Sequence, residues 1–309
     1  MHVCLVFAFL AAWYRLPTVA GRADIAATLG AQQAGPGAVI PAATGSASLT
    51  VVLDISDSMY DDWEQVLSGA TEIARLMLDK RRRTIRNFGL VPFFDPDIGP
   101  ASITTDPDEF VAKLRNVYVS GGGDCPEASI GAILQALDIS LPGSFIYVFT
   151  DARSNDYHLV NDVLKMIQEK ESQVVFVMTG DCGNHSHPGY KAYEQIAATS
   201  SGQVFYLNKT DVDEVLKFVE ISLQSRKVNL IGTNHAEGAI TSHRLPIDTR
   251  LNQVTMSVSG RNPFIELRDP SGRVVSVGDQ GVEKQLDLDN VFIMSIKNPV
   301  PGMWYLRAG

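Results

Sequence analysis

The sequence predicts an α/β domain with a doubly wound, mostly parallel, Rossmann-like sheet covered by helices on both faces, followed by a small all-β, sandwich-like domain. Two observations lead to this fold class. In the first part of the chain, short apolar runs alternate with segments whose apolar residues recur every three or four positions. After residue 227 the apolar residues recur at every second position instead. With 45% apolar and 20% charged residues, the 309-residue chain can bury a core in each part.

The first part contains five apolar runs rich in Val, Ile and Phe, which is typical of strands buried on both faces. They are residues 49–53, 88–93, 145–150, 174–178 and 204–207. Helical spacing falls between or after them, in residues 63–77, 130–137, 160–167 and 212–219. This alternation predicts a parallel sheet whose ligands bind beyond the carboxyl ends of the strands.

The last part of the chain, residues 227–309, is predicted to be the all-β domain. Its alternating segments are separated by turn signals such as Asp269-Pro270-Ser271-Gly272. The segments with a period of two are residues 253–258, 264–267, 291–296 and 303–306. Because little sequence follows the last segment, we expect this domain to be incomplete or to be one end of a longer protein.

The first 21 residues are predicted to be a secretory signal peptide. An apolar stretch over residues 3–13 precedes small residues at 19–21, although only His2 stands where a positive charge is usual. No segment approaches the roughly 20 apolar residues of a transmembrane helix. Residues 22–46, rich in Ala, Gly and Pro, are predicted to be a flexible leader. We therefore expect a secreted, soluble protein.

The charge balance argues against a nucleic-acid partner. The net charge is -9 and the isoelectric point is near 5.1, whereas phosphate binding needs clustered Lys and Arg. The single basic run, residues 80–83, follows a helical segment and is interpreted as cations at a helix C-terminus.

Cysteines and sequons agree with export. Cys4 would leave with the signal peptide, and Cys125 and Cys182 would remain as a disulfide pair, although two free buried thiols are the alternative. Asn184 and Asn208 each begin an Asn-X-Ser/Thr sequon and are the predicted glycosylation sites.

A cation site is predicted where the first strand ends. Asp54-Ile55-Ser56-Asp57-Ser58 offers a carboxylate and two hydroxyls, and Mg²⁺ and Ca²⁺ prefer oxygen ligands. One carboxylate binds weakly, so acids from other loops are needed. Asp151 follows a neighbouring strand, and Glu127 follows Asp124 in a loop that leads into a helix. The alternative roles are an Asx turn for Asp151 and helix capping for Glu127 or Asp124.

The motif Asp54-Ile55-Ser56-Asp57-Ser58-Met59 resembles the metal-ion-dependent adhesion site of von Willebrand factor A domains, and the resemblance covers residues 47–225. Within that family, Asp124-Cys125-Pro126-Glu127 is similar to the Asp-Ala-Pro-Glu loop of integrin β subunits. Residues 118–127, 142–153 and 172–182 resemble the amino-terminal domain of hemicentins, as does the β region that follows.

The resemblance implies how the cation is held. Ser56 and Ser58 bind Mg²⁺ or Ca²⁺ directly, Asp54 and Asp151 bind it directly or through water, and Glu127 completes the protein ligands. An open position then accepts an Asp or Glu of an extracellular protein partner. Many relatives have a Thr in the second loop. An anionic Glu127 would make the ion less electropositive and weaken its attraction for a partner carboxylate unless the loop rearranges.

Two further sets of residues have competing interpretations. Asp61 and Asp62 resemble the acidic pair of the adjacent integrin cation site, to which Asp124 would also contribute, but acids in the first turn of a helix also stabilise its dipole. His185 and His187 are two loop histidines without a further placed ligand, so we interpret them as polar surface residues rather than as metal ligands.

Three functions compete at this stage. The leading one is a non-enzymatic, secreted adhesion or matrix module whose divalent cation binds a partner carboxylate. The second is a Mg²⁺-dependent phosphatase of the haloacid dehalogenase class with Asp54 as nucleophile. That class needs a second Asp where this chain has Ser56, and a Lys that the sequence does not identify. The third is a metal-free structural interaction domain.

Overall fold

A computed structural model describes residues 2–10, 47–76, 85–119, 125–180, 182–212, 214, 227–235 and 239–309. The predicted flexible leader, the basic run at 80–83, Asp124 and most of the predicted helix at 212–219 lie outside these residues. Within them, strands and helices alternate up to β7. The strands of this first domain are β2 (Ala47–Asp54), β3 (Ile85–Phe93), β4 (Ser102–Thr104), β5 (Phe145–Thr150), β6 (Gln173–Met178) and β7 (Val204–Tyr206). Its helices are α1 (Trp63–Leu76), α2 (Pro107–Arg115), α3 (Ser129–Ile139), α4 (Val160–Lys170) and α5 (Pro188–Thr199).

The six strands form one sheet in the order β4-β3-β2-β5-β6-β7. All neighbours are parallel except β3 and β4, which pair in antiparallel fashion. The first strand of the domain, β2, is central, with β3 on one side and β5 on the other. The sheet therefore extends from β2 toward β3 on one side and toward β5 on the other, so the strand order reverses at β2. The carboxyl ends of β2 and β5 lie side by side at this point, where such sheets bind ligands.

Helices cover both faces of the sheet. Successive side chains of β2 point to opposite faces, and those on both faces are buried. Leu49, Val51 and Leu53 pack in a core with residues of α1 and α2. Val52 points to the opposite core, which contains residues of α3, α4 and α5. Thr50 is also buried in the strand, and its hydroxyl is 2.7 Å from the Ser140 hydroxyl, so this polar group is satisfied. The predicted doubly wound fold is confirmed.

The second domain consists of two antiparallel sheets with a core between them, so the predicted sandwich is confirmed. One sheet has the order β13-β14-β10-β1-β8 and the other β12-β11-β15-β9. Their strands are β1 (His2–Leu10), β8 (Lys227–His235), β9 (Thr241–Ile247), β10 (Leu251–Ser259), β11 (Ile265–Arg268), β12 (Val274–Val275), β13 (Val282–Leu288), β14 (Val291–Lys297) and β15 (Gly302–Ala308).

Strand β1 lies within the predicted signal peptide, and it pairs with β10 on one side and β8 on the other. Cleavage near residue 21 would remove this strand and leave the facing edges of β8 and β10 without it. Signal cleavage stays a prediction. If it occurs, it removes a strand from the five-stranded sheet of the second domain.

The two domains are in direct contact. Leu286, Val291 and Ile293 belong to the same buried cluster as Phe205 and Leu207 of the first domain. Two hydrogen bonds cross the contact: the Gln203 side-chain amide donates to Ser257 Oγ at 2.6 Å, and the Tyr206 amide donates to Ser259 Oγ at 3.1 Å. Buried apolar contact and satisfied polar groups together hold β7 against the five-stranded sheet.

Among the described residues, no helix combines the length and hydropathy needed to cross a membrane.

Glu194 on α5 gives a test of the packing. Its side chain is buried, one carboxylate oxygen has no hydrogen-bond partner among the described residues, and burial raises its pKa from 4.5 to about 7. Because the pKa of Glu194 is higher in the folded state, the free energy of unfolding falls as pH rises through about 7. Above that pH, folding must bury an ionised carboxylate. We expect Glu194→Gln to raise the free energy of unfolding by about 1–2 kcal/mol at pH 8 and to change it little at pH 4.

Urea unfolding of the parent and the variant at both pH values measures this difference. Glu169→Gln is the matched control, because Glu169 lies on the neighbouring helix with a 63% exposed side chain. A Glu194→Gln effect of equal size at both pH values would show that the buried charge is not its cause.

Candidate metal centre

Asp54 is the buried centre of the site at the carboxyl end of β2. Its Oδ1 accepts from the Ser56 amide at 3.0 Å and from the Ser56 hydroxyl at 2.7 Å. Its Oδ2 accepts from the Thr150 hydroxyl at 2.6 Å. Since Thr150 ends β5, these bonds fix the loop after β2 to the neighbouring strand and set the direction of both carboxylate oxygens.

The remaining predicted loop residues continue from Asp54 toward solvent. Ser56 Oγ and Ser58 Oγ are 3.1 Å apart, and the exposed Ser58 donates to Asp151 Oδ1 at 3.0 Å. The structure therefore brings Asp54, Ser56, Ser58 and Asp151 together as one row of oxygen atoms. The row begins in the core and ends at the surface.

The two serine hydroxyls lie 3.1 Å apart, within hydrogen-bonding distance, and either of them can donate to the other. Ser56 Oγ is also 2.7 Å from Asp54 Oδ1, and Ser58 Oγ is 3.0 Å from Asp151 Oδ1. Adjacent ligands of Mg²⁺ are separated by about 3.0 Å when each bond is about 2.1 Å long. The separations along this row suit a small, hard cation.

Glu127 lies in the loop before α3, and its contacts link it to the loops after β3 and β5. Its backbone amide donates to the Arg153 carbonyl and its carbonyl accepts from the Asn155 amide, both at 2.9 Å. Its carboxylate accepts from the Asp95 amide at 2.5 Å. The loop after β3 therefore holds the carboxylate of the predicted fifth ligand.

The acids of the site affect one another electrostatically. Burial raises the pKa of Asp54 to about 6, partly offset by its hydrogen bonds from Thr150 and Ser56, while Asp151 raises it further. Burial also raises the pKa of Glu127 to about 8, and the neighbouring carboxylates of Asp54, Asp95 and Asp151 add to that effect. Asp54 and Glu127 therefore hold their protons to a higher pH than free carboxyl groups do.

Two residues of the site were not predicted from the sequence. Thr150 directs Asp54, and its place directly before Asp151 at the end of β5 was a usable signal. Asp95 begins the loop after β3, the other neighbour of β2, and Asn155 donates to its carboxylate. The rule that loops at the carboxyl ends of parallel strands converge would have included Asp95.

The predicted adjacent acidic residues point in different directions. Asp62 is fully buried and accepts from the Thr179 hydroxyl at 3.1 Å, whereas Asp61 is exposed. The Asp62 amide also donates to the Met59 carbonyl, which ends the 3-10 turn of residues 57–61. Asp62 thus connects the start of α1 to the end of β6, while Asp124 lies outside the described residues.

A disulfide joins Cys125 to Cys182, with the Cα atoms 5.8 Å apart. It connects the loop that carries Glu127 to the loop after β6. The Cys182 amide donates to the buried Tyr190 hydroxyl at 2.6 Å, which fixes the second loop to α5. The disulfide therefore restrains the loop of Glu127, two residues from its side chain.

The histidines and sequons lie at the surface near the disulfide. The His187 ring accepts from the Gly189 amide at 3.0 Å and caps α5, and the His185 ring stacks on Tyr190. Asn184 and Asn208 are both exposed, as carrier residues of a glycan must be.

Among the described residues, no group of three or more His, Cys, Asp or Glu side chains is arranged to hold a metal ion, so any cation here depends on the serine hydroxyls.

A phosphatase site finds little support in these contacts. The position two residues after Asp54 is Ser56, and the Asp54 carboxylate bonds only with Ser56 and Thr150 in the described part of the chain. A hydroxyl at that position cannot act as the second carboxylate of a haloacid dehalogenase.

Comparisons with known proteins identify relatives of both domains. Residues 48–209 match a family model described as von Willebrand factor A domain, and residues 227–309 match one described as hemicentin galactose-binding domain-like. Human hemicentin-1 is 53% identical over 265 residues, which cover 85% of this chain and 5% of that protein. Mouse hemicentin-2 is 49% identical over 274 residues, covering 88% of this chain and 5% of that protein. Rat von Willebrand factor A domain-containing protein 7 is 31% identical over 245 residues, covering 74% of this chain and 26% of that protein.

Loss of the disulfide is expected to lower stability. The bond closes a loop across a sequence separation of 57 residues, for which chain entropy gives a stabilisation of about 4 kcal/mol. The double variant Cys125→Ser/Cys182→Ser should lose about that free energy of unfolding in a urea titration. The parent with its disulfide reduced should match the variant, and a loss below about 1 kcal/mol would contradict the loop-closure argument.

Proposed function

The chain belongs to the von Willebrand factor A domain family, in its hemicentin type, and from that premise we propose that it is a secreted, non-enzymatic extracellular-matrix and adhesion module. In this proposal a divalent cation at the carboxyl end of β2 binds a carboxylate of another extracellular protein. The chain spans about 5% of the length of its hemicentin relatives, so the proposal concerns the activity of these two domains.

The proposed ligands are the oxygens that converge in the row. Ser56 and Ser58 would bind Mg²⁺ or Ca²⁺ directly, Asp54 and Asp151 directly or through water, and Glu127 from the neighbouring loop. The spacing of these oxygens carries this proposal, since they follow one another at 2.7, 3.1 and 3.0 Å, close to the separation of adjacent ligands on a small cation. A bound ion would supply a Lewis-acidic position for a carboxylate that no side chain of this chain provides.

The protein groups around the row would orient the ligands. Thr150 holds Asp54 in place, and the buried start of the row excludes water from one side. Ser58 is exposed and Asp151 is half-buried, so the outer end of the row is open to solvent. A partner carboxylate would approach from this end.

Export fits the same proposal. The disulfide between Cys125 and Cys182 is typical of an oxidising compartment, and the two exposed sequons are accessible to glycosylation. The signal peptide at residues 1–21 and the glycans at Asn184 and Asn208 are parts of the proposal. A second cation site, formed by Asp61, Asp62 and Asp124 next to the first one, is also part of the proposal.

Asp54→Asn is expected to abolish Mg²⁺ and Ca²⁺ binding, because it removes the buried negative charge and changes an acceptor of the Ser56 hydroxyl. Calorimetric titration of the full chain with each ion measures the affinity. Asp57→Asn is the matched control, since Asp57 is an exposed acid of the same loop that does not belong to the row. Circular dichroism of both variants checks that each is folded.

Capture of proteins from matrix extract, with and without a chelator, separates the competing functions. Chelator-sensitive capture that Asp54→Asn abolishes supports the proposal. The proposal is contradicted if Asp54→Asn still binds the ions. It is also contradicted if the amount of protein captured is the same with and without chelator and the same for the parent and the variant. Turnover of a phosphate ester that requires Mg²⁺ and Asp54 would favour the phosphatase instead.

Glu127 is expected to limit the strength of partner binding. Replacing it with Thr removes a carboxyl group that would be ionised beside a bound cation, so the affinity for Mg²⁺ should fall while the bound ion attracts a partner carboxylate more strongly. The measurement is capture by Glu127→Thr and by the parent, both saturated with Mg²⁺. Glu127→Gln tests charge separately from size and should act in the same direction. Unchanged capture in both variants would show that Glu127 does not regulate the site.

A further inference from the structure

The second domain has an exposed sheet face with an unusual group of side chains. On the sheet β12-β11-β15-β9, the alternation of β15 buries Trp304 and Leu306 and turns Tyr305 and Arg307 outward. Register places Arg244 of β9 and Arg268 of β11 on opposite sides of Tyr305. A partly exposed aromatic ring is thus flanked by two guanidinium groups on neighbouring strands.

A cavity of ≈ 260 Å³ lies on this face. It is lined by Ser242, His243, Arg244, Glu266, Arg268, Tyr305, Leu306 and Arg307. Pockets for drug-sized ligands measure about 300–1,000 Å³, so this one fits a smaller unit such as one or two sugar rings. The Tyr305 side chain is 49% exposed, which leaves much of its surface available to a ligand.

The charge of the cavity is positive although the whole chain is negative. Glu266 forms ion pairs with Arg268 at 2.9 Å and with Arg307 at 2.8 Å. These bonds lower the pKa of Glu266, with the hydrogen bond from Arg268 as the largest cause, so the carboxylate stays ionised. Arg244 is exposed and has no ion pair among the described residues. Three guanidinium groups and one carboxylate leave a net charge of +2 at the cavity.

We propose that this face binds a sulfated saccharide of an anionic glycan chain. The planar guanidinium group of an arginine can donate two parallel hydrogen bonds to a sulfate or a carboxylate. A uronate next to a sulfated ring carries two negative charges, which balance the net charge of +2 at the cavity. The apolar face of a sugar ring would lie on Tyr305. This site uses none of the residues of the Asp54 row and does not depend on a cation.

The shape of the face favours a saccharide over an acidic peptide. An extended peptide gains most of its affinity from backbone pairing along a sheet edge, which in this sheet would be the free edge of β9. The side chains of Tyr305 and its two arginines project instead from the broad face of the sheet. A glutamate or aspartate side chain would engage one arginine but would leave the aromatic surface uncovered. A charged ring covers both.

The test is calorimetric titration of the full chain, in the presence of EDTA, with a sulfated hexasaccharide of alternating uronate and sulfated hexosamine. We expect saturable binding that weakens as salt is raised. Arg244→Gln should weaken binding about tenfold, since it removes one charge-assisted contact. Tyr305→Leu should also weaken it, and Tyr305→Phe should retain it. Arg250→Gln, on an exposed arginine that pairs with Asp248 in the turn before β10, is the matched control and should bind as the parent does.

Several results would overturn the proposal. They are absence of saturable binding, equal affinity in Arg244→Gln and the parent, and equal binding of a non-sulfated hexasaccharide of the hyaluronan type. Tighter binding of a poly-glutamate peptide would assign the face to an acidic protein instead. Because Arg244 is exposed on a strand, its variant is expected to stay folded, and unfolding curves of all variants check this.

Discussion

The burial of Asp54 is the constraint on which the site depends. A carboxylate inside a parallel sheet is costly unless its oxygens are hydrogen-bonded, and three hydrogen bonds to Asp54 come from only two residues, Ser56 and Thr150. Those bonds determine the path of the loop after β2 and direct Ser56 and Ser58 outward. The central position of β2 then brings the loops after β3 and β5 to the same place.

Crowding of carboxylates is the direct consequence of that arrangement. Asp54, Asp95, Glu127 and Asp151 come from four different segments, and the carboxylates around Asp54 and Glu127 help burial to raise the pKa of these two residues. A protein can relieve such repulsion by taking up protons or by binding a cation. The raised pKa values of Asp54 and Glu127 describe the first route, and the facing serine oxygens suit the second. A cation and protons therefore compete for the same oxygens.

The local parts of this site could be predicted from the sequence, whereas the parts set by side-chain direction could not. Asp54, Ser56 and Ser58 are close in sequence, and Asp151 ends an adjacent strand, so strand order alone brings them together. Glu127 follows from the loop that leads into α3, but its hydrogen bond to the Asp95 amide depends on a loop conformation that no residue pattern specifies. In the second domain, the residues of β9 alternate in burial, but only Leu245 and Ile247 are apolar at the inward positions, so the sequence pattern is too short to predict the strand. An apolar run such as residues 2–10 fits a signal peptide and a strand equally well.

The two domains present opposite local charge on one chain whose net charge is -9. At physiological salt the Debye length is about 8 Å, so a ligand at one surface is little affected by charges far from it. The positive cavity around Tyr305 can therefore attract an anion despite the acidity of the chain, and the acidic row can attract a cation independently. Apolar contacts of Leu286, Val291 and Ile293 hold the domains together. Because each surface is built on a separate sheet, a matrix protein that used both would bind a protein and a glycan without either ligand occupying the other's site.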